Sequence, residues 1–221
     1  MLFVAVFMIC MVGACYHADS QAQDPTVAGA LSATTVLYTQ SPVTSGVLLQ
    51  SSRNGSDYDQ YVWDNFALSS AQPVTEVRWR GGYNPAKFGY GGPVVNFTVA
   101  IYASIPGGAQ PDVIAHPLVQ YQTEGNSGET SAGTFGGTTL YDYAFILPTA
   151  FQAAAVTTYW VQIEALQKGI VPDWGITPGT GGNGQYFRMY TGGVGDIHYD
   201  LVQGSDVAFT LLTSTPSLTV N

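Results

Sequence analysis

With 221 residues, the chain is long enough to bury the core of one large β-domain, and its 26 glycines and 14 tyrosines suit strands and turns rather than disorder. The formal net charge of −9, from 15 acidic and 6 basic residues, argues against a nucleic-acid surface and against anionic lipid headgroups. Cys10 and Cys15 are the only cysteines, so from residue 16 onward there is no disulfide, no cysteine zinc site and no thiol nucleophile.

The chain opens on an apolar run, residues 2–11 (LFVAVFMICM), too short for a membrane-spanning helix of roughly 20 residues. Small residues and then a polar stretch follow, the pattern of a secretory signal, although the run is preceded by no Lys or Arg. Ser20-Gln21-Ala22 presents small residues at −3 and −1, which gives a signal peptide over 1–22. Val12-Gly13-Ala14-Cys15 resembles a lipobox, which would instead end the signal at residue 14 and leave a lipidated Cys15. Ordinary cleavage is the preferred reading, and neither route leaves a membrane span in the mature chain.

Residues 23–33 read as a linker of small and polar residues. From residue 34 the periodicity is two. Short strands are expected at 34–39 and 47–50, and a longer one at 61–68 (YVWDNFAL). In 74–80 (VTEVRWR), Val77 and Trp79 point one way and Glu76, Arg78 and Arg80 the other. Phe97, Val99 and Ile101 share a face of 96–102, and Tyr141, Tyr143, Phe145 and Leu147 a face of 141–147. In 158–166 (TYWVQIEAL), Val161, Ile163 and Ala165 are inward, with Trp160, Gln162 and Glu164 opposite. Further strands are expected at 172–177, 185–190, 196–202 and 206–212. Glycine- and proline-rich connections lie at 81–93, 106–111, 124–137 and 178–184, and 151–155 has room for one helical turn. The pattern predicts an all-β, jelly-roll-like antiparallel β-sandwich over 34–212, with a polar tail over 213–221.

Several of these strands are similar to motifs of a known group. Trp63-Asp64-Asn65-Phe66-Ala67-Leu68, Val77-Arg78-Trp79-Arg80-Gly81-Gly82-Tyr83 and Phe97-Thr98-Val99-Ala100-Ile101-Tyr102 resemble the first half of exported bacterial jelly-roll-like domains of largely unassigned function. Tyr159-Trp160-Val161-Gln162-Ile163-Glu164-Ala165 and Asp206-Val207-Ala208-Phe209-Thr210-Leu211 resemble the second half. The likeness implies a carbohydrate-binding-module-like fold more than an activity. The group's usual second acidic residue before the Phe is Asn65 here, and no apolar anchor follows residue 212. Because distant strands pair in jelly rolls, 206–212 is expected to lie centrally, near 61–68, with Phe66 and Phe209 inside.

For chemistry, a serine or cysteine nucleophile is excluded: His116 and His198 are the only histidines beyond the leader, and there is no Gly-x-Ser-x-Gly elbow. The run Asn54-Gly55-Ser56-Asp57-Tyr58-Asp59 offers oxygen ligands, with Asp57 and Asp59 as candidate carboxylates for a structural calcium. An ordinary turn is the simpler reading of the same residues. Paired carboxylates for a glycan hydrolase or lyase would be Glu164 and Glu76, although Arg78 two residues on explains Glu76 as an ion pair. The preferred reading is a non-catalytic module, secreted or at the cell surface, that binds a glycan or a surface protein. Its ligand face would carry Trp160, Gln162 and Glu164, rimmed by Tyr83 and Tyr90. Trp63 and Trp174 are counted with Trp160 as more aromatic surface than one core needs.

Overall fold

The computed structural model describes residues 34–214 except 57, 85–90 and 194. All of these lie in one compact unit, Ser32–Pro216. The expectations for the leader, the linker, Asp57, Tyr90 and residues 215–221 lie outside the described residues. In chain order the strands are β1 (Thr34–Pro42), β2 (Leu49–Gln50), β3 (Ser52–Arg53), β4 (Tyr61–Phe66), β5 (Gln72–Tyr83), β6 (Val94–Ala103), β7 (Val119–Gln122) and β8 (Thr130–Phe135). They continue as β9 (Thr138–Ala153), β10 (Tyr159–Gln167), β11 (Trp174–Ile176), β12 (Pro178–Thr180), β13 (Gln185–Gly193), β14 (Asp196–Gln203), β15 (Asp206–Val207) and β16 (Phe209–Ser214). Among the described residues there is no helix, and hence none long and apolar enough to cross a membrane.

Two sheets pack face to face, the all-β sandwich that the alternation predicts. Nine strands form one sheet in the order β15-β12-β1-β16-β5-β11-β2, with β9 on the other edge of β5 and β8 beyond it. Seven form the second, in the order β14-β13-β4-β10-β6-β7, with β3 adding a short parallel contact to β10. β16 lies between β1 and β5, so the last strand is central and neighbours the first. Thr213 and Ser214, read as the start of a tail, continue β16 by pairing with Thr35 and Thr34.

The core follows from period two. Phe97, Val99 and Ile101 from β6 meet Val161, Ile163 and Ala165 from β10 and Trp79 and Tyr143 from the facing sheet. Trp79 stacks on Tyr143 at 5.5 Å, and Phe97 meets the Trp79 ring edge-on at 5.1 Å. A bulge between Val74 and Glu76 lets Val74 and Val77 both face inward, a spacing that strict alternation forbids. Gly81 is required by close approach, since a Cβ there would sit 2.4 Å from the Trp174 ring.

Among the polar ties that join the sheets is a buried carboxylate. Asp64, on the inner face of β4, accepts hydrogen bonds from the backbone N–H of Val207 at 2.5 Å and of Asn65 at 2.6 Å. Burial pushes its carboxyl up to about 8, with the nearby Asp206 adding to the effect and the two N–H donors opposing it. Asp206 in turn accepts from the backbone N–H of Gly182 and Gly184. Two of the motifs that carry the resemblance, 63–68 and 206–211, therefore meet here, and Phe66 and Phe209 lie in the same core cluster, as expected.

Residues 178–180, read as part of a glycine-rich connection, form β12, and 119–122, where no strand is expected, form β7. Two further segments differ from expectation. Residues 130–135, read as loop, form β8, whose polar sequence lacks alternation and whose register is broken beside Gly133 at φ +100°. Phe151–Ala153, where a helical turn was expected, is the end of β9, paired to Gln72–Val74. Tertiary pairing overrides local propensity in both.

Candidate functional site

β10 runs between β4 and β6, and its outer face carries Trp160, Gln162 and Glu164 in the predicted alternation. Strand pairing brings Trp63 level with Gln162, Tyr102 level with Trp160, and Thr98 level with Glu164. Beyond β4, β13 sets Met189 beside Tyr61, and β14 sets Tyr199 beside Met189. A cleft of about 370 Å³ opens on this face, lined among others by Arg53, Tyr61, Trp63, Tyr102, Gln120, Gln162, Glu164 and Tyr199.

The cleft floor is a connected polar strip. Tyr102 Oη donates to Gln162 Oε1 at 3.0 Å, and Gln162 Nε2 donates to Glu164 Oε2 at 3.2 Å. Arg53 Nε donates to Glu164 Oε1, closing the strip with an ion pair. Glu164 is only 7% exposed, and burial pushes its carboxyl up to about 7. Arg53 opposes that shift and Asp59 adds to it. The Tyr61 hydroxyl is held above the usual phenol range, first by burial and then by Glu164 and Asp59. Trp63 meets Tyr102 edge-on at 6.1 Å, and burial raises the Tyr102 hydroxyl while the Trp63 indole N–H opposes that push. Fixed amide, hydroxyl and carboxyl groups beside aromatic rings are what a hydroxyl-bearing ligand uses: rings to stack on and polar groups to orient it.

The expected constellation is only partly brought together. Gln162 and Glu164 line the cleft, but Trp160 does not present its ring: it is 1% exposed, packed with Trp63, Phe187 and Met189, with Tyr102 and Val113 against the same cluster. Its Nε1 donates to Ser104 Oγ at 2.8 Å. Period two correctly gives its face, but the β13–β14 hairpin and the segment around Val113 cover it. Trp63 and Trp174 are likewise buried, so the aromatic surplus is absorbed by packing. Tyr83 ends β5 in the other sheet, where its hydroxyl donates to Glu129 Oε1 and accepts from Val94 N–H, and it is not among the residues lining the cleft.

Glu76 and Glu164 do not share a cleft. Glu76 leaves β5 on the outer side of the nine-stranded sheet and pairs with Arg78 at 2.5 Å, while Glu164 faces out of the seven-stranded sheet. Asp59 accepts from the backbone N–H of Asn54 at 2.8 Å and of Gly55 at 3.2 Å, which is turn geometry. Among the described residues no group of three or more His, Cys, Asp or Glu is placed to hold a metal. His198 bonds Asp196 at 3.0 Å and stacks on Tyr190.

Arg53, Tyr61, Tyr102, Gln120 and Tyr199 were not singled out from the sequence. The signal that finds them is strand register: Tyr61 and Trp63 share parity with Gln162 only once β4 is known to pair with β10. A second groove, about 480 Å³, crosses the outer face of the nine-stranded sheet past Arg78, Arg80, Asp142 and Thr210. There Arg80 makes a bidentate pair with Asp142 at 2.7 and 2.9 Å.

No curated protein and no solved structure matches the chain. Residues 36–180, from within β1 to the end of β12, match a protein family described as a domain of unknown function (DUF7901), and the chain belongs to that family.

Proposed function

We propose that this chain is a non-catalytic binding module whose cleft on the seven-stranded sheet takes a carbohydrate. The observation that carries the reading is the Tyr102–Gln162–Glu164–Arg53 strip lying fixed in a cleft whose margin holds Tyr199, a ring 51% exposed. Carbohydrate recognition draws on both parts: a ring to stack on a sugar face, and pre-positioned groups to meet hydroxyls without fresh ordering cost. A hydrolase or lyase built on Glu164 with Glu76 is set aside, because the two leave opposite faces of the sandwich. The test is a glycan array probed with the purified chain and with Gln162→Ala and Tyr199→Ala. Retention of a glycan by the wild type, lost in both variants while each still unfolds cooperatively, supports the reading; retention unchanged in both sinks it.

We also read the chain as exported, on the apolar run of 2–11 followed by Ser20-Gln21-Ala22. Intact mass of the protein recovered from its source distinguishes a start at Gln23 from a lipidated Cys15. A surface protein as partner is the second reading of the same exported module, and pull-down after the array has failed addresses it.

A further inference from the structure

Among the described lining residues the cleft holds one cation, Arg53. Among the described residues Arg53 commits only its Nε to a hydrogen bond. Among the described lining residues Glu164 is the only carboxylate, and each of its oxygens accepts one hydrogen bond, from Arg53 and from Gln162. A ligand carboxylate on the remaining guanidinium N–H groups would come beside the Glu164 carboxylate, and two carboxylates sharing one arginine favour a proton on the buried one.

Resting on the reading of this cleft as a glycan site, we propose that it takes a carboxylate-bearing sugar together with one proton: the ligand carboxylate pairs with Arg53, and the proton goes to Glu164. Charge balances, since one anion and one proton enter and Arg53 keeps a single counter-charge. The groups facing Glu164 favour the exchange. Asp59, in the turn before β4, repels the ionised form, and burial between β4 and β6 already raises the carboxyl to about 7. Tyr61 from β4 and Tyr102 from β6 face it with hydroxyls that burial and Glu164 hold protonated. Arg53 from β3 is the one cation opposing protonation, and the ligand carboxylate would take over its charge. By linkage, a ligand that binds with a proton raises the proton affinity of Glu164, and its own affinity falls about tenfold per pH unit above the free carboxyl's range.

The experiment is calorimetry on the full chain with an oligogalacturonide, a neutral cello-oligosaccharide and acetate, at pH 6 and pH 8.5, in buffers of different ionisation enthalpy. The expected result is oligogalacturonide binding at pH 6 that weakens about thirtyfold by pH 8.5, with uptake of about one proton at pH 8.5. Glu164→Gln should bind it equally at both pH values, and Arg53→Gln should lose it at both. Acidic sugar bound without proton uptake, or a neutral sugar bound as tightly, overturns the inference while the glycan-binding reading stands. Acetate bound as tightly as the oligomer overturns the sugar in it, and no sugar bound at either pH sinks the glycan-binding reading itself.

Discussion

The two outer faces of this sandwich use similar residues to opposite ends. On the nine-stranded sheet, Arg78 and Arg80 leave β5 two residues apart and pair with Glu76 and Asp142, with Arg78 52% and Asp142 51% exposed at the side chain. Water screens the Arg80–Asp142 pair, which adds little to stability, while Glu76 is itself buried beneath its exposed partner. On the seven-stranded sheet an arginine, a glutamate, a glutamine and a tyrosine again lie along the strands, but the β13–β14 hairpin and the Val113 segment wall them in. There each group has a fixed partner, and the glutamate no longer titrates as it would in water. Glu76 and Glu164 are equally buried, at 7% exposure each, so depth alone does not separate the faces; Glu76 meets one arginine of its own strand, whereas Glu164 meets Arg53 and Gln162 along a cleft floor.

The contrast can be broken by substitution, most strongly at the buried wall of the cleft. Trp160→Ala should cost roughly 3–5 kcal/mol, the range for emptying a large core aromatic, read as a shift in denaturant midpoint. A loss below about 1 kcal/mol would show the ring is not enclosed. The next effect is one of pH. Asp64 and Glu164 both have folded-state values raised above those of an unfolded chain, to about 8 and about 7. Their contribution is therefore fully present below about pH 4 and is lost progressively as pH rises through those values. Stability followed from pH 4 to 9 should fall, and Asp64→Asn should flatten the slope whatever it does to the midpoint. On the exposed face, a double-mutant cycle on Arg80 and Asp142 should return a coupling of about 0–1 kcal/mol, shrinking with salt; a larger, salt-insensitive value would erase the distinction between the faces. Smallest of all, Tyr199→Ala should change stability by no more than about 0.5 kcal/mol, because half of its ring is already in water.

Most of the fold was legible because strands announce their buried face at every second residue. Phe97, Val99 and Ile101 in β6 and Val161, Ile163 and Ala165 in β10 needed nothing more. β8 was illegible because Thr130–Phe135 is polar and sits at a sheet edge, so its pairing comes from β9 rather than from its own side chains. The site was half legible. Alternation put Gln162 and Glu164 on the correct face, and it put Trp160 there too, but alternation reports direction and not cover. Arg53 is 111 residues from Glu164 in the chain, and Tyr199 enters from β14, which β13 joins to β4; only register brings them to the cleft.

The pairing of β1 with β16 has a mechanical consequence. Thr34 lies opposite Ser214, so the first rung of that ladder joins the two ends of the domain. A load pulling those ends apart would meet the rungs one at a time, like a zipper, rather than all together in shear. The domain should therefore yield at low force from that corner, with the nine-stranded sheet opening first. A single-molecule pulling trace with a small first peak, followed by a larger one from the seven-stranded sheet, would be its signature.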